Sequence, residues 1–118
     1  MAVDEALAGR VRAFLRQKDG DTDERRMMGA LCFMRQGKMC CGVTGDRLML
    51  RLGKQGAAAV LDKPEIQPLE IGGGRKASAF VTVAGDAVGE TSKLEAWIEQ
   101  AIAFTESLPP PERRQRRR

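Results

Sequence analysis

Apolar residues recur along this chain with two periods, and the switches between them mark out its elements. In Asp4–Lys18, Leu7, Val11, Phe14 and Leu15 fall at i, i+4, i+7 and i+8, the stripe of an amphipathic helix. Asp4 is placed to cap it, and acids at its start with Lys18 at its end suit the helix dipole. Asp19-Gly20-Asp21 breaks it. The period then becomes two. Glu24–Met28 is predicted as a first strand, closed by Gly29. Leu31–Arg35 and Lys38–Val43 pair as a hairpin across Gln36-Gly37, where glycine supplies positive φ. Arg47–Leu52 is a fourth strand, with Leu48, Leu50 and Leu52 on one face and Arg47, Met49 and Arg51 on the other.

Beyond the meander, the alanine-rich Gly53–Leu61 reads as a short helix stopped by Pro64, although Gly56 costs it about 1 kcal/mol relative to alanine. Gln67–Ile71 and Ala79–Val83 are predicted strands joined through Gly72-Gly73-Gly74-Arg75-Lys76. The last helix spans Ser92–Leu108, its stripe running through Leu94, Trp97, Ile98, Ala101, Ile102, Thr105 and Leu108. Ser92 and Glu95 have capping-box spacing. The predicted order is α-β-β-β-β-α-β-β-α. It describes an α+β, two-layer domain, an antiparallel sheet (meander plus hairpin) covered by helices. Residues 1–108 form this domain, and residues 109–118 a disordered Pro/Arg-rich tail. A chain of 118 residues buries roughly 65% of its unfolded surface, enough for one core.

Charge changes the picture in one respect. The net +4 resides wholly in the tail, which holds Arg113, Arg114, Arg116, Arg117 and Arg118 against Glu112. Without it, basic and acidic residues balance at fifteen each. Contact with nucleic acid or another polyanion is therefore expected from those arginines or from a local patch, not from bulk charge; the competing reading of the tail is a solvated extension. The chain has no histidine and no tyrosine, which excludes histidine-based triads and histidine metal sites within it. No apolar run approaches the ~20 residues of a membrane span, and the N-terminus lacks a signal-peptide pattern. The expected location is the cytoplasm, with reduced thiols and no membrane partner.

All three cysteines and five of six methionines lie between Arg25 and Leu52. A regular hairpin across Gln36-Gly37 places Cys32 opposite Cys41 and Phe33 opposite Cys40. Cys32 and Cys41 are then within disulfide reach and form the candidate redox pair; the competing reading makes them small core residues. Cys40 points to the other face, so Cys40 and Cys41 do not grip one metal, and no metal or cofactor is expected. If helices cover the Cys32, Met34 and Cys41 face, then Leu31, Phe33, Cys40 and Met49 face outward as a candidate interface, with a homodimer as one outcome. The alternative is that a helix covers them instead. The triple glycine matches no phosphate-binding fingerprint and reads as a hairpin loop. No catalytic constellation is visible.

The segments Arg26-Met27-Met28-Gly29, Leu31-Cys32-Phe33-Met34, Gly37-Lys38-Met39-Cys40-Cys41-Gly42-Val43 and Asp46-Arg47-Leu48-Met49-Leu50-Arg51 resemble the N-terminal domain of the TfoX/Sxy family. The likeness extends to the first helix and to Leu94–Pro110. Met28 stands where the family often has phenylalanine, and Ala30 where a second glycine is common. The resemblance implies a secretion-chaperone-like α+β fold and a kinship with regulators of competence and transcription, here without their C-terminal domain. It implies no catalytic residues. The leading expectation is a non-enzymatic regulatory module acting through protein partners. The alternatives are a nucleic-acid-associated protein using its arginine tail and a small thiol/redox protein.

Overall fold

The structure, a computed structural model, describes residues 3–18, 22–27, 29–70 and 74–109. Helix α1 (Glu5–Arg16) begins as expected, with the Asp4 carboxylate accepting from the Leu7 N–H at 3.1 Å. Strands β1 (Thr22–Met27), β2 (Ala30–Arg35), β3 (Lys38–Thr44) and β4 (Arg47–Arg51) follow, then α2 (Gly53–Val60), β5 (Ile66–Glu70), β6 (Lys76–Ala84), a short 3-10 turn at Gly85–Val88 and α3 (Thr91–Glu106). The strands make one antiparallel sheet in the order β1-β2-β3-β4-β6-β5. This is the predicted α+β element order, in which the second strand pair extends the meander's sheet.

The end of the chain differs in one detail. Helix α3 begins at Thr91 with Glu90 as its cap residue and no side-chain cap bond, so the Ser92–Glu95 capping box does not form. The 3-10 turn delivers the chain into the helix one residue earlier than the sequence pattern suggests.

Two rows of apolar side chains on one sheet face meet the helices. Leu31, Val43, Leu48, Val83 and Ile66 lie opposite one another across five strands, and Phe33, Cys41, Leu50 and Val81 form the adjacent row. All are buried, against Leu7, Val11, Phe14 and Leu15 of α1 and Leu94, Ile98, Ala101 and Ile102 of α3. Helix α2 packs along β6 through Ala57. At its start, Gly53 (φ +82°) faces Phe104 of α3, and a Cβ there would stand 2.5 Å from the ring.

These rows exist because β3 is bulged. Arg35 pairs with Lys38 and Met34 with Met39, but Phe33 then pairs with Cys41 and Cys32 with Gly42, leaving Cys40 as the extra residue. A bulge places two residues of one strand opposite one of its neighbour. With a regular hairpin, Leu31 and Phe33 would lie on the opposite face from Val43, Leu48 and Leu50. The bulge unites them. Burying two such side chains stabilises by about 1.5–3 kcal/mol each, more than the roughly 1 kcal/mol net of a ladder hydrogen bond given up.

Candidate functional site

The bulge corrects the expected placement of the cysteines. Cys32 is opposite Gly42, not Cys41, so the predicted Cys32–Cys41 redox pair is not formed. Cys40 and Cys41 instead both turn into the helix side, where each thiol shifts the other's ionisation. All three thiols are free and buried. Burial pushes the Cys32 thiol up. Cys41 is held well above the usual thiol range by the Cys40 thiol and by complete burial. Cys40 is lowered chiefly by the Cys41 thiol, against its own desolvation. The Thr105 hydroxyl adds to this when turned toward Cys40 rather than to the Ala101 carbonyl, on which it donates at 2.8 Å. Arg35, 2% exposed beside this pair, donates to Thr22 Oγ1 at 3.1 Å and faces Glu106 at 3.6 Å.

The candidate interface is corrected in the same way. Leu31, Phe33 and Cys40 lie under the helices with 2%, 0% and 0% exposure, leaving no surface through which they could self-associate. Met49 alone of that group lies on the helix-free face. The tail arginines Arg113, Arg114, Arg116, Arg117 and Arg118, with Gly72 and Gly73 of the triple glycine, lie outside the described residues.

The helix-free face is built by a third row: Arg25, Cys32, Gly42, Met49, Thr82 and Gln67 lie opposite one another from edge to edge of the sheet. Gly42 is required at its centre. A Cβ there would meet Met49 Cε at 2.7 Å and the Leu31 carbonyl closer still. Met49 thus folds over the glycine, and Cys32 and Met49 are each only 2% exposed. Between Pro68 and Leu69 the β5–β6 register jumps, so that Pro68 pairs with Val81 but Leu69 with Ala77. The far end of this hairpin turns across the helix-free face.

The result is a cleft of about 380 Å³ lined by Met27, Ala30, Cys32, Met39, Thr44, Met49, Leu69, Glu70, Ala77 and Phe80. Residues of both edge strands, Met27 and Leu69, share it, so the sheet is curled and this face is concave. Met27 is 40% exposed at its mouth. Of these residues, the sequence pattern singled out Cys32 and Met49. Outward alternation along β4 was the available signal; no local pattern announces that Phe80 and Leu69 are carried over the same face.

Beside the cleft, Arg51 donates to the Met39 carbonyl at 3.2 Å and lies over the Phe80 ring, 5.8 Å from its centre. Arg47 donates to Thr82 Oγ1 at 2.9 Å and to the Glu65 carbonyl at 3.0 Å. Among the described residues no three cysteines and carboxylates come together as metal ligands, and no helix is long and apolar enough to cross a membrane.

Fold and site together define an α+β domain whose helices sheathe one side of an open six-stranded sheet and leave an apolar concavity on the other. The TfoX N-terminal domain model matches residues 14–105, and the chain belongs to that family. No curated protein and no solved structure matches it.

Proposed function

We propose that this domain is a non-enzymatic regulatory module that works by binding a protein partner on the concave, helix-free face of its sheet. The observation that supports this most directly is the sulfur-lined cleft, with Met27 exposed at its mouth. Methionine side chains are flexible and polarisable and adapt to the shape of what they contact. An apolar concavity of this size is uncommon on a surface without a binding role.

The sheet edges are poorer contacts. Edge strand β1 reads Thr-Asp-Glu-Arg-Arg-Met, and edge strand β5 carries Pro68; charge and proline both oppose pairing with another strand. The helix side is committed to the core. Kinship with the competence regulators suggests a partner in the control of transcription, and three unpaired buried thiols suit the cytoplasm.

The test is capture from native extract by the whole chain and by two surface variants, Met27→Glu and Arg51→Glu, matched for thermal stability. A partner held by the wild type and lost by both supports the reading. A partner retained by both variants overturns it.

A further inference from the structure

The concave face has a specific charge pattern. Strand β4 turns Arg47, Met49 and Arg51 toward it in succession. Strand rise separates the two arginines by roughly 13 Å along the backbone, with Met49 in the cleft between them. Each is half-buried, and both are held by neutral acceptors. Arg47 donates to Thr82 and the Glu65 carbonyl, and Arg51 to the Met39 carbonyl while lying on Phe80. Neither faces a carboxylate within ion-pair distance among the described residues. Of the other charges near this face, Asp23 lies 3.9 Å from Arg25, and Glu70, opposite Lys76 in the β5–β6 register, lines the Leu69 end of the cleft and makes no ion pair among the described residues. A globular part with equal numbers of acids and bases thus keeps two cations without an ion-pair partner on β4, flanking Met49 in a cleft whose one lining carboxylate, Glu70, comes from β5.

We propose that the occupant of this cleft is an acidic segment of a partner protein, in which a bulky apolar side chain enters between Met27, Met49 and Phe80 and flanking carboxylates meet Arg47 and Arg51. The inference rests on the protein-contact reading above and names the chemistry of the partner. Complementary charge at the rim of an apolar patch steers association and selects partners. A second copy of this chain is the wrong occupant, because facing clefts would set four guanidinium groups against one another. A nucleic acid offers phosphates to the arginines but no aliphatic group to fill a cleft whose single ring is Phe80. The cleft volume suits one or two large side chains.

The test uses three synthetic peptides of equal length, titrated into the whole chain carrying carbon-13 methionine methyls. The first has a central Leu-Phe flanked by aspartates and glutamates, the second replaces the acids with lysines, and the third replaces Leu-Phe with serines. Expected is a saturable shift of the Met27 and Met49 methyls by the first, with affinity at least about tenfold weaker for the other two. Raised salt and Arg51→Gln should each weaken the first peptide several-fold. Arg47→Gln should do the same provided its melting temperature is unchanged; Arg51→Gln decides alone if it is not. Equal binding of acidic and basic peptides, no effect of Arg51→Gln, or no shift by the acidic peptide near 1 mM overturns the proposal. If these fail while the native partner still depends on Met27 and Arg51, the charge assignment falls and the docking face stands.

Discussion

Met49 rests directly on Gly42 across the β3–β4 pair: a Cβ at Gly42 would stand 2.7 Å from the Met49 methyl and would also press on the Leu31 carbonyl. The methyl can swing away, but the backbone carbonyl cannot. Gly42→Ala is therefore expected to destabilise the fold by about 1–3 kcal/mol, the cost of overpacking a filled site. Urea unfolding measures it. The Met49 methyl resonance should move in the folded fraction, and Met49→Ala in the same chain should recover only part of the loss.

The buried thiols give the stability an alkaline limit. Cys32 and Cys41 have folded-state values raised above that of the unfolded chain, so their neutral forms are favoured by folding. Their contribution is complete below the unfolded thiol value, about 8.5, and is lost as pH rises through the folded values. Cys40 shifts the other way, but it does so through the neutral Cys41 thiol, which holds the pair at one proton or more. Unfolding free energy should fall between pH 8 and 10, and Cys32→Ala should reduce that slope. A disulfide reagent at neutral pH should react with none of the three thiols until denaturant is added; fast native labelling of Cys40 would show that α3 opens readily.

Strand β1 should be the loosest part of the sheet. Five of its six side chains are exposed. It is tied to α1 by Arg12, whose Nη2 donates to Glu24 Oε1 at 2.9 Å, and by Arg26 with Glu5 at 3.2 Å. Pairs this exposed contribute about 1 kcal/mol or less. The Arg12 hydrogen bond lowers the Glu24 carboxyl below its ordinary value. Its contribution is present above the unfolded carboxyl value and lost as pH falls through the folded one. Amide exchange in β1 should exceed that in β3 and β4, and should accelerate at acid pH or in high salt.

Affinity for nucleic acid should follow the tail. Deleting residues 109–118 removes five arginines and one acid, leaving a charge-balanced chain. Any binding to DNA or RNA should disappear with it, along with its salt dependence. Equal binding by the full and shortened chains would place the contact on the domain itself.

The element order, the helix stripes and the Asp4 cap were legible in the sequence because each follows from spacing within a few residues. The faces of the meander were not. Alternation in Leu31–Arg35 and in Lys38–Val43 is unambiguous strand by strand, yet assigning the two to one side requires the count across the hairpin. Cys40 alters that count by one. Neither a glycine nor any other local sign marks the position. What decides it is tertiary: Leu31 and Phe33 are buried only if they join Val43, Leu48 and Leu50. The candidate interface was misplaced for this reason, while Met49, on a strand outside the bulge, lies on the helix-free face but is only 2% exposed. Phe80 and Leu69 reach that face through an irregular β5–β6 register that the sequence also leaves unmarked.

The bulge also has a consequence for how this hairpin can vary between related chains. Deleting the codon for Cys40 would leave Met39 opposite Met34 and Cys41 opposite Phe33, so both ends of the hairpin would stay in phase. Removing one residue from Cys41–Thr44 would turn the distal half of the strand inside out and bring the sulfur-lined side into the core. Length changes in this strand should therefore concentrate at one position, where the chain can gain or lose a residue without exchanging its inside for its outside.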